Sequence, residues 1–205
     1  MSQKSNNIEN TPLYFIIGSP RSGTNMLHGF LDAHPETILP TEFPFIPLYA
    51  PLFQHRTFRT EKDVDEYLSW IRKKIRYPFW SIERWHVDFT SLRSRLMELI
   101  PDGADYAAFC RETILHSRSV FPKTAPAVLI LKEPAYALQT KRLLQIFPDA
   151  RFIHICRDPR AQVNSVRRMP FGSKLLTVNA FFWNLVQTHI YKLKSAMPDR
   201  VMCVA

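Results

Sequence analysis

The chain has 205 residues, 46% of them hydrophobic, so it is long and apolar enough for one domain with a buried core and too apolar to be disordered. The 27 Lys and Arg residues against 18 Asp and Glu give a formal charge of +9, which admits nucleic acid, an anionic membrane or a phosphorylated cofactor as partner. Three scattered cysteines, Cys110, Cys156 and Cys203, form no CxxC pair, which argues against a disulfide framework and a zinc site and predicts buried free thiols in a reducing compartment.

Residues 1–12 are polar, lack the apolar core of a signal peptide and read as a flexible tail before a single domain over 13–205. No apolar run approaches the ~18 residues that a membrane helix needs. The expectation is a cytoplasmic protein with no membrane span; a chain trimmed of an N-terminal anchor would read the same.

Leu13-Tyr14-Phe15-Ile16-Ile17 is a continuous apolar run ended by Gly18, as in a buried strand of a parallel sheet. From Gly23 to about Ala33 the pattern is helical, with Met26, Leu27, Phe30 and Leu31 on one side. Residues 37–58, rich in proline and aromatics, read as an irregular loop with at most a short strand or turn. Residues 59–122 form a mainly helical insertion, interrupted near Tyr77-Pro78 and Pro101-Asp102-Gly103. Within it Arg72, Lys73, Lys74 and Arg76 are the densest basic cluster and read as a solvated helix face rather than a nucleic-acid site.

Ala127–Leu131 is a second buried strand, followed by a helix over about 136–147. Arg151–Cys156 is a third, and a helix from Pro159 to Arg168 follows it. A long helix over 174–197 carries a stripe of Phe182, Val186, Ile190, Leu193 and Met197, and Arg200–Ala205 is a last strand. Strands alternating with helices predict an α/β fold around a central parallel sheet. Ligands of such folds bind beyond the carboxyl ends of the strands, here the loops 18–24, 132–134 and 157–160.

Gly18-Ser19-Pro20-Arg21-Ser22-Gly23-Thr24-Asn25 lies between strand and helix and holds two of the five glycines. Glycine lets backbone approach an anion, a helix N-terminus offers unpaired N–H groups, and Ser22, Thr24 and Arg21 add donors. The bland alternative is a strand-to-helix turn with a Ser or Thr cap. The glycine spacing is that of a nucleotide-triphosphatase P-loop, but Thr24 stands at the lysine position and Asn25 at the magnesium-binding Ser/Thr position. That disfavours a kinase and points to metal-free handling of an anion.

Ser19 to Thr24 resembles the 5′-phosphosulfate loop of sulfotransferases that use PAPS (3′-phosphoadenosine 5′-phosphosulfate). Asp32-Ala33-His34-Pro35 is similar to a segment of the bacterial-type and tyrosylprotein sulfotransferases. Arg157, at a strand end, and Ser165, eight residues on, resemble the family's 3′-phosphate segment. The family often has a second threonine at the position of Asn25.

The resemblance implies a three-layer α/β/α, P-loop nucleotide-hydrolase-like sulfotransferase fold. It implies cofactor contacts from Ser19, Pro20, Arg21, Ser22, Gly23, Thr24, Asn25, Arg157 and Ser165, with Arg160 or Arg167 as lesser helpers. Glu42, flanked by aromatic and proline residues, is placed like the family's catalytic base, and Lys132 like a lysine that stabilises the leaving phosphosulfate; a Lys132–Glu133 surface pair is the bland alternative. Arg21 completes the catalytic set. PAPS as donor, PAP as product and no metal follow.

The acceptor would be a hydroxyl on a small molecule, carbohydrate, lipid or tyrosine-containing partner, with no nucleic acid involved. Relatives continue past the strand at 200–205, so the C-terminal part of the domain is expected to be missing. A P-loop phosphotransferase and a non-catalytic PAP-binding fragment stay open. The sequence marks neither the acceptor nor the oligomeric state. His28, His34, His86, His116, His154 and His189 have no metal-ligand spacing; His34 is expected beside the loop, and a histidine base at His34 or His86 is a minor reading. Trp183 reads as core, with adenine contact as the alternative.

Overall fold

The computed structural model describes residues 11–73, 81–124 and 126–204. Five parallel strands, β1 (Leu13–Ile17), β2 (Thr37–Ile38), β3 (Val128–Lys132), β4 (Arg151–Ile155) and β5 (Val201–Val204), form one sheet in the order β2-β3-β1-β4-β5. β1 is flanked by β3 and β4, with Ile16 in register with Lys132 and Ile17 with His154. Three strands far apart in sequence therefore end side by side, and the loops after them meet.

Eight α-helices are described: α1 (Thr24–Asp32), α2 (Phe45–Phe53), α3 (Glu61–Ile71), α4 (Phe89–Leu99), α5 (Tyr106–Leu115), α6 (Thr140–Ile146), α7 (Pro159–Arg167) and α8 (Leu176–Ala196). Leu13, Phe15 and Ile17 enter a large core shared with α2–α6 and α8, while Ile16 faces a smaller one closed by Leu27 and Leu31 of α1. Burial on both faces explains why β1 is apolar throughout. The result is the three-layer α/β/α arrangement expected. No helix among the described residues is long and apolar enough to cross a membrane.

Several local expectations are corrected. The short strand allowed within 37–58 is β2, but the nine-residue helix α2 stands where an irregular loop was expected. Pro51 inside α2 has no N–H for the carbonyl of Pro47, and Arg142 Nη1 donates to that carbonyl instead at 3.4 Å. Burial of Phe45, Ile46, Tyr49, Ala50 and Phe53 outweighs the helix-breaking propensity. Of the four apolar residues expected on one side of α1, Leu27 and Leu31 pack inward, whereas Met26 and Phe30 are exposed. On α8 Val186 and Ile190 are buried, but Phe182 and Met197 are exposed and Trp183 is half-buried outside both cores. The helix expected over 136–147 opens as a 3-10 turn, Pro134–Leu138.

Cys110 is buried, whereas Cys156, just past β4, is half-buried and Cys203 is exposed on the edge strand β5. Arg72 and Lys73 lie past the end of α3, against the Phe89 and Trp70 rings, so they form no helix face; Lys74 and Arg76 lie outside the described residues, as does the break at Tyr77-Pro78. His34 is exposed on the surface turn after α1.

Candidate active site

The loop after β1 has a backbone that few residues can follow. Gly18 has φ +155°, and a Cβ there would lie 2.6 Å from the Ile155 carbonyl oxygen, so β1 and β4 approach this closely only with glycine between them. Arg21 (φ 68°) and Gly23 (φ 100°) both adopt positive φ. Such turns gather backbone N–H groups into an anion-binding concavity. No side chain caps α1, against the bland reading of a Ser or Thr cap. The Ser22 Oγ is buried without a hydrogen-bond partner. A buried hydroxyl left unsatisfied at an uncapped helix N-terminus suits a bound anion.

Four hydrogen bonds tie this loop to α7, α8 and the end of β4. Arg157 Nη1 donates to the Arg21 carbonyl at 3.2 Å, and Arg21 Nε to Ser165 Oγ at 3.3 Å. Gln162 Nε2 donates to the Pro20 carbonyl at 2.6 Å, and Gln187 Nε2 to Ser19 Oγ at 3.4 Å. Asp158 caps α7 through the N–H groups of Arg160 and Ala161. Its carboxyl is held well below the usual carboxylate range, chiefly by the Arg160 side chain. Arg160 is thereby turned to Asp158 and solvent, and Arg167 is exposed in the last turn of α7, so neither joins the loop.

A cavity of about 500 Å³ opens above the strand ends. Pro20, Arg21, Gly23, Thr24, Asn25, Glu42 and Arg157 line it, so most of the predicted site residues share one space. Ser19 and Ser22 are buried within its loop wall, and Ser165 joins through Arg21. Lys132 is buried just behind, where its Nζ donates to both Glu42 Oε1 and Asn25 Oδ1. The surface pair of Lys132 with Glu133 is thus replaced by a buried contact between β3 and the segment after β2. Glu133 is itself buried, caps the following 3-10 turn and lines the cavity with Pro134 and Phe171. A larger concavity, about 730 Å³, lies between α3 and α4 and holds none of the predicted residues; Arg93 there is paired with Asp65 and Glu61. Among the described residues no group of three or more His, Cys, Asp or Glu could hold a metal ion.

Gln162, Gln187 and Phe171 were not foreseen in the sequence. Gln162 was detectable, since it precedes Ser165 by three residues and so shares its helix face. Gln187 and Phe171 carry no local signal.

The model of the sulfotransferase family matches residues 12–204. The chain belongs to this family. Curated relatives include a protein-tyrosine sulfotransferase of Drosophila melanogaster, 27% identical over 155 residues, covering 76% of this chain and 25% of that protein. Another is the omega-hydroxy-beta-dihydromenaquinone-9 sulfotransferase of Mycobacterium tuberculosis, 27% identical over 175 residues, covering 72% of this chain and 42% of that one. This sulfotransferase-family chain thus spans well under half the length of these relatives.

Among solved structures, the sulfotransferase domain of a Synechococcus olefin synthase has a TM-score of 0.59 at 21% identity, covering all of this chain and 69% of that one. The sulfotransferase domain from the curacin biosynthetic pathway has the same TM-score and identity, covering 94% and 66%. These likenesses show the fold.

Proposed function

We propose that this chain binds PAPS and takes part in moving its sulfuryl group to a hydroxyl acceptor. The observation that carries the reading is the contact of Arg21 Nε with Ser165 Oγ, which brings the segment read as the 3′-phosphate site against the loop read as the 5′ site, beside one cavity. The residues present fit a ligand with an anion at each end. The loop Ser19–Asn25, with its buried unsatisfied Ser22 hydroxyl, would hold the 5′-phosphosulfate. Arg157 and Ser165 would hold the 3′-phosphate, with Gln162 and Gln187 bracing the loop between them.

PAPS supplies the sulfuryl group and departs as the 3′,5′-bisphosphate PAP. Glu42, at the cavity wall, takes the acceptor's proton. Lys132 stabilises charge on the leaving side, and Arg21 assists it. An ammonium has three N–H donors; Glu42 and Asn25 use two, which leaves one for that charge. The names of the relatives fit a hydroxyl acceptor: a protein tyrosine is a phenol, and the menaquinone derivative bears an omega-hydroxy group. Thr24 and Asn25 at the P-loop lysine and magnesium positions weigh against a phosphotransferase. No metal is needed in this scheme.

The test is transfer of labelled sulfate from PAPS to a phenol and to a long-chain alcohol, beside PAP binding by calorimetry. PAP binding with transfer that Glu42→Gln abolishes supports the reading. PAP binding without transfer reduces the chain to a binding module, and binding of ATP–Mg²⁺ in place of PAP overturns the reading.

A further inference from the structure

Residues 39–44 have no regular structure, so Glu42 is held in place by side chains that grip the backbone around it. Trp85 Nε1 donates to the Thr41 carbonyl at 2.7 Å, and the Tyr136 hydroxyl to the Phe43 carbonyl at 3.4 Å. Both rings belong to the core. The third grip is His28, whose Nε2 lies 3.3 Å from the Pro40 carbonyl. A carbonyl only accepts, so Nε2 carries the proton.

His28 follows Asn25 by three residues on α1, so the two share a helix face. Asn25 holds Lys132 while His28 holds the Glu42 segment. Half-buried His28 is kept below the ordinary histidine value by burial first and by the Lys132 ammonium second. The Pro40 carbonyl, Asp32 on its own helix and Glu42 pull the other way. The ring is therefore neutral at pH 7 and lies in the field of both members of the pair.

We propose that His28 is a positioning residue whose Nε2–H holds the Pro40 carbonyl and so sets Glu42 against Lys132. This rests on the reading of Glu42 as base and Lys132 as charge-stabilising group. His28 does not line the cavity, so its effect passes through Glu42.

Three variants test the geometry. The amide nitrogen of glutamine reaches the position of imidazole Nε2; that of asparagine falls short, and alanine has none. His28→Ala and His28→Asn should lower kcat about tenfold or more through misplacement of the base, with PAP affinity and the PAPS KM within about twofold of the parent. His28→Gln should recover most of the loss. Equal impairment in the glutamine and alanine variants, or an unchanged kcat in His28→Ala, overturns the proposal.

A second readout needs no turnover. The NMR titration midpoint of His28 should rise in Lys132→Met, which removes a positive charge, and fall in Glu42→Gln, which removes a negative one. A midpoint unmoved in both variants overturns the positioning role even in an inactive chain. Midpoints that move as expected in a protein that fails to bind PAP uphold the geometry and reject the sulfuryl-transfer reading alone.

Discussion

Lys132 Nζ donates to Glu42 Oε1 across 90 positions of sequence, and the two ends of the pair are unequally buried: the lysine side chain is 4% exposed and the glutamate 35%. An ammonium withdrawn from water depends on its partner, whereas a carboxylate at a cavity wall keeps its hydration. Glu42→Ala leaves the buried charge with Asn25 alone and should destabilise the fold by about 1–3 kcal/mol. Lys132→Met fills the same volume with an apolar stem, leaves a hydrated carboxylate and should cost under about 1 kcal/mol. Urea unfolding ranks the two, and the opposite order would contradict the burial argument. Both should lower sulfuryl transfer about 100-fold.

Arg157 and Ser165 should discriminate the 3′-phosphate. PAP at ~100 times its dissociation constant should stabilise the parent by about 2.7 kcal/mol. Arg157→Ala and Ser165→Ala should lose most of that gain while responding to 5′-AMP as the parent does. Thermal unfolding with each ligand reads this directly. Equal loss of both responses would place the two residues at the 5′ end instead.

Two glycines near the loop should respond in opposite directions to alanine. At Gly18 the new Cβ would sit 2.6 Å from the Ile155 carbonyl oxygen at φ +155°, so β1 and β4 must part. A loss of about 1–3 kcal/mol is expected, together with weaker PAP binding. At Gly29, inside α1, a Cβ meets nothing within 4 Å. Gly29→Ala should stabilise the protein by about 0.5–1 kcal/mol through helix propensity. Denaturation midpoints for the pair test whether the clash or mere flexibility explains Gly18.

Acid should weaken the start of α3 only as pH falls below about 4. Asp63 accepts from the Arg59 and Thr60 backbone N–H groups and pairs with Arg56, closing a capping box with Thr60. These bonds hold its carboxyl well below the usual carboxylate range, the Arg59 N–H foremost. A lowered folded-state value contributes stability that is complete above the unfolded value, near pH 4, and is lost as pH falls through the folded value. Asp63→Asn should therefore cost about 1 kcal/mol at pH 7. The difference from the parent should shrink as pH drops below about 4. A gap constant down to pH 2 would mean the cost is steric.

The sequence alone determined the main strands and the glycine-bounded loop after β1. The apolar run Leu13–Ile17, the glycines at 18 and 23 and the charged strand end at Arg157 are local signals, because burial on both faces of a strand and a tight turn constrain residue type where they occur. The aromatic segment over α2 was misread for the same reason: Pro47 and Pro51 are local breakers, and only the packing of Phe45, Tyr49 and Phe53 against distant helices overrides them. Tertiary structure alone decided that Lys132 turns to Glu42 rather than Glu133, that Gln162 and Gln187 brace the loop, and that Met26 and Phe30 face outward. Each depends on which strand lies next to which, and β3-β1-β4 adjacency joins segments more than a hundred residues apart through contacts that no local pattern encodes.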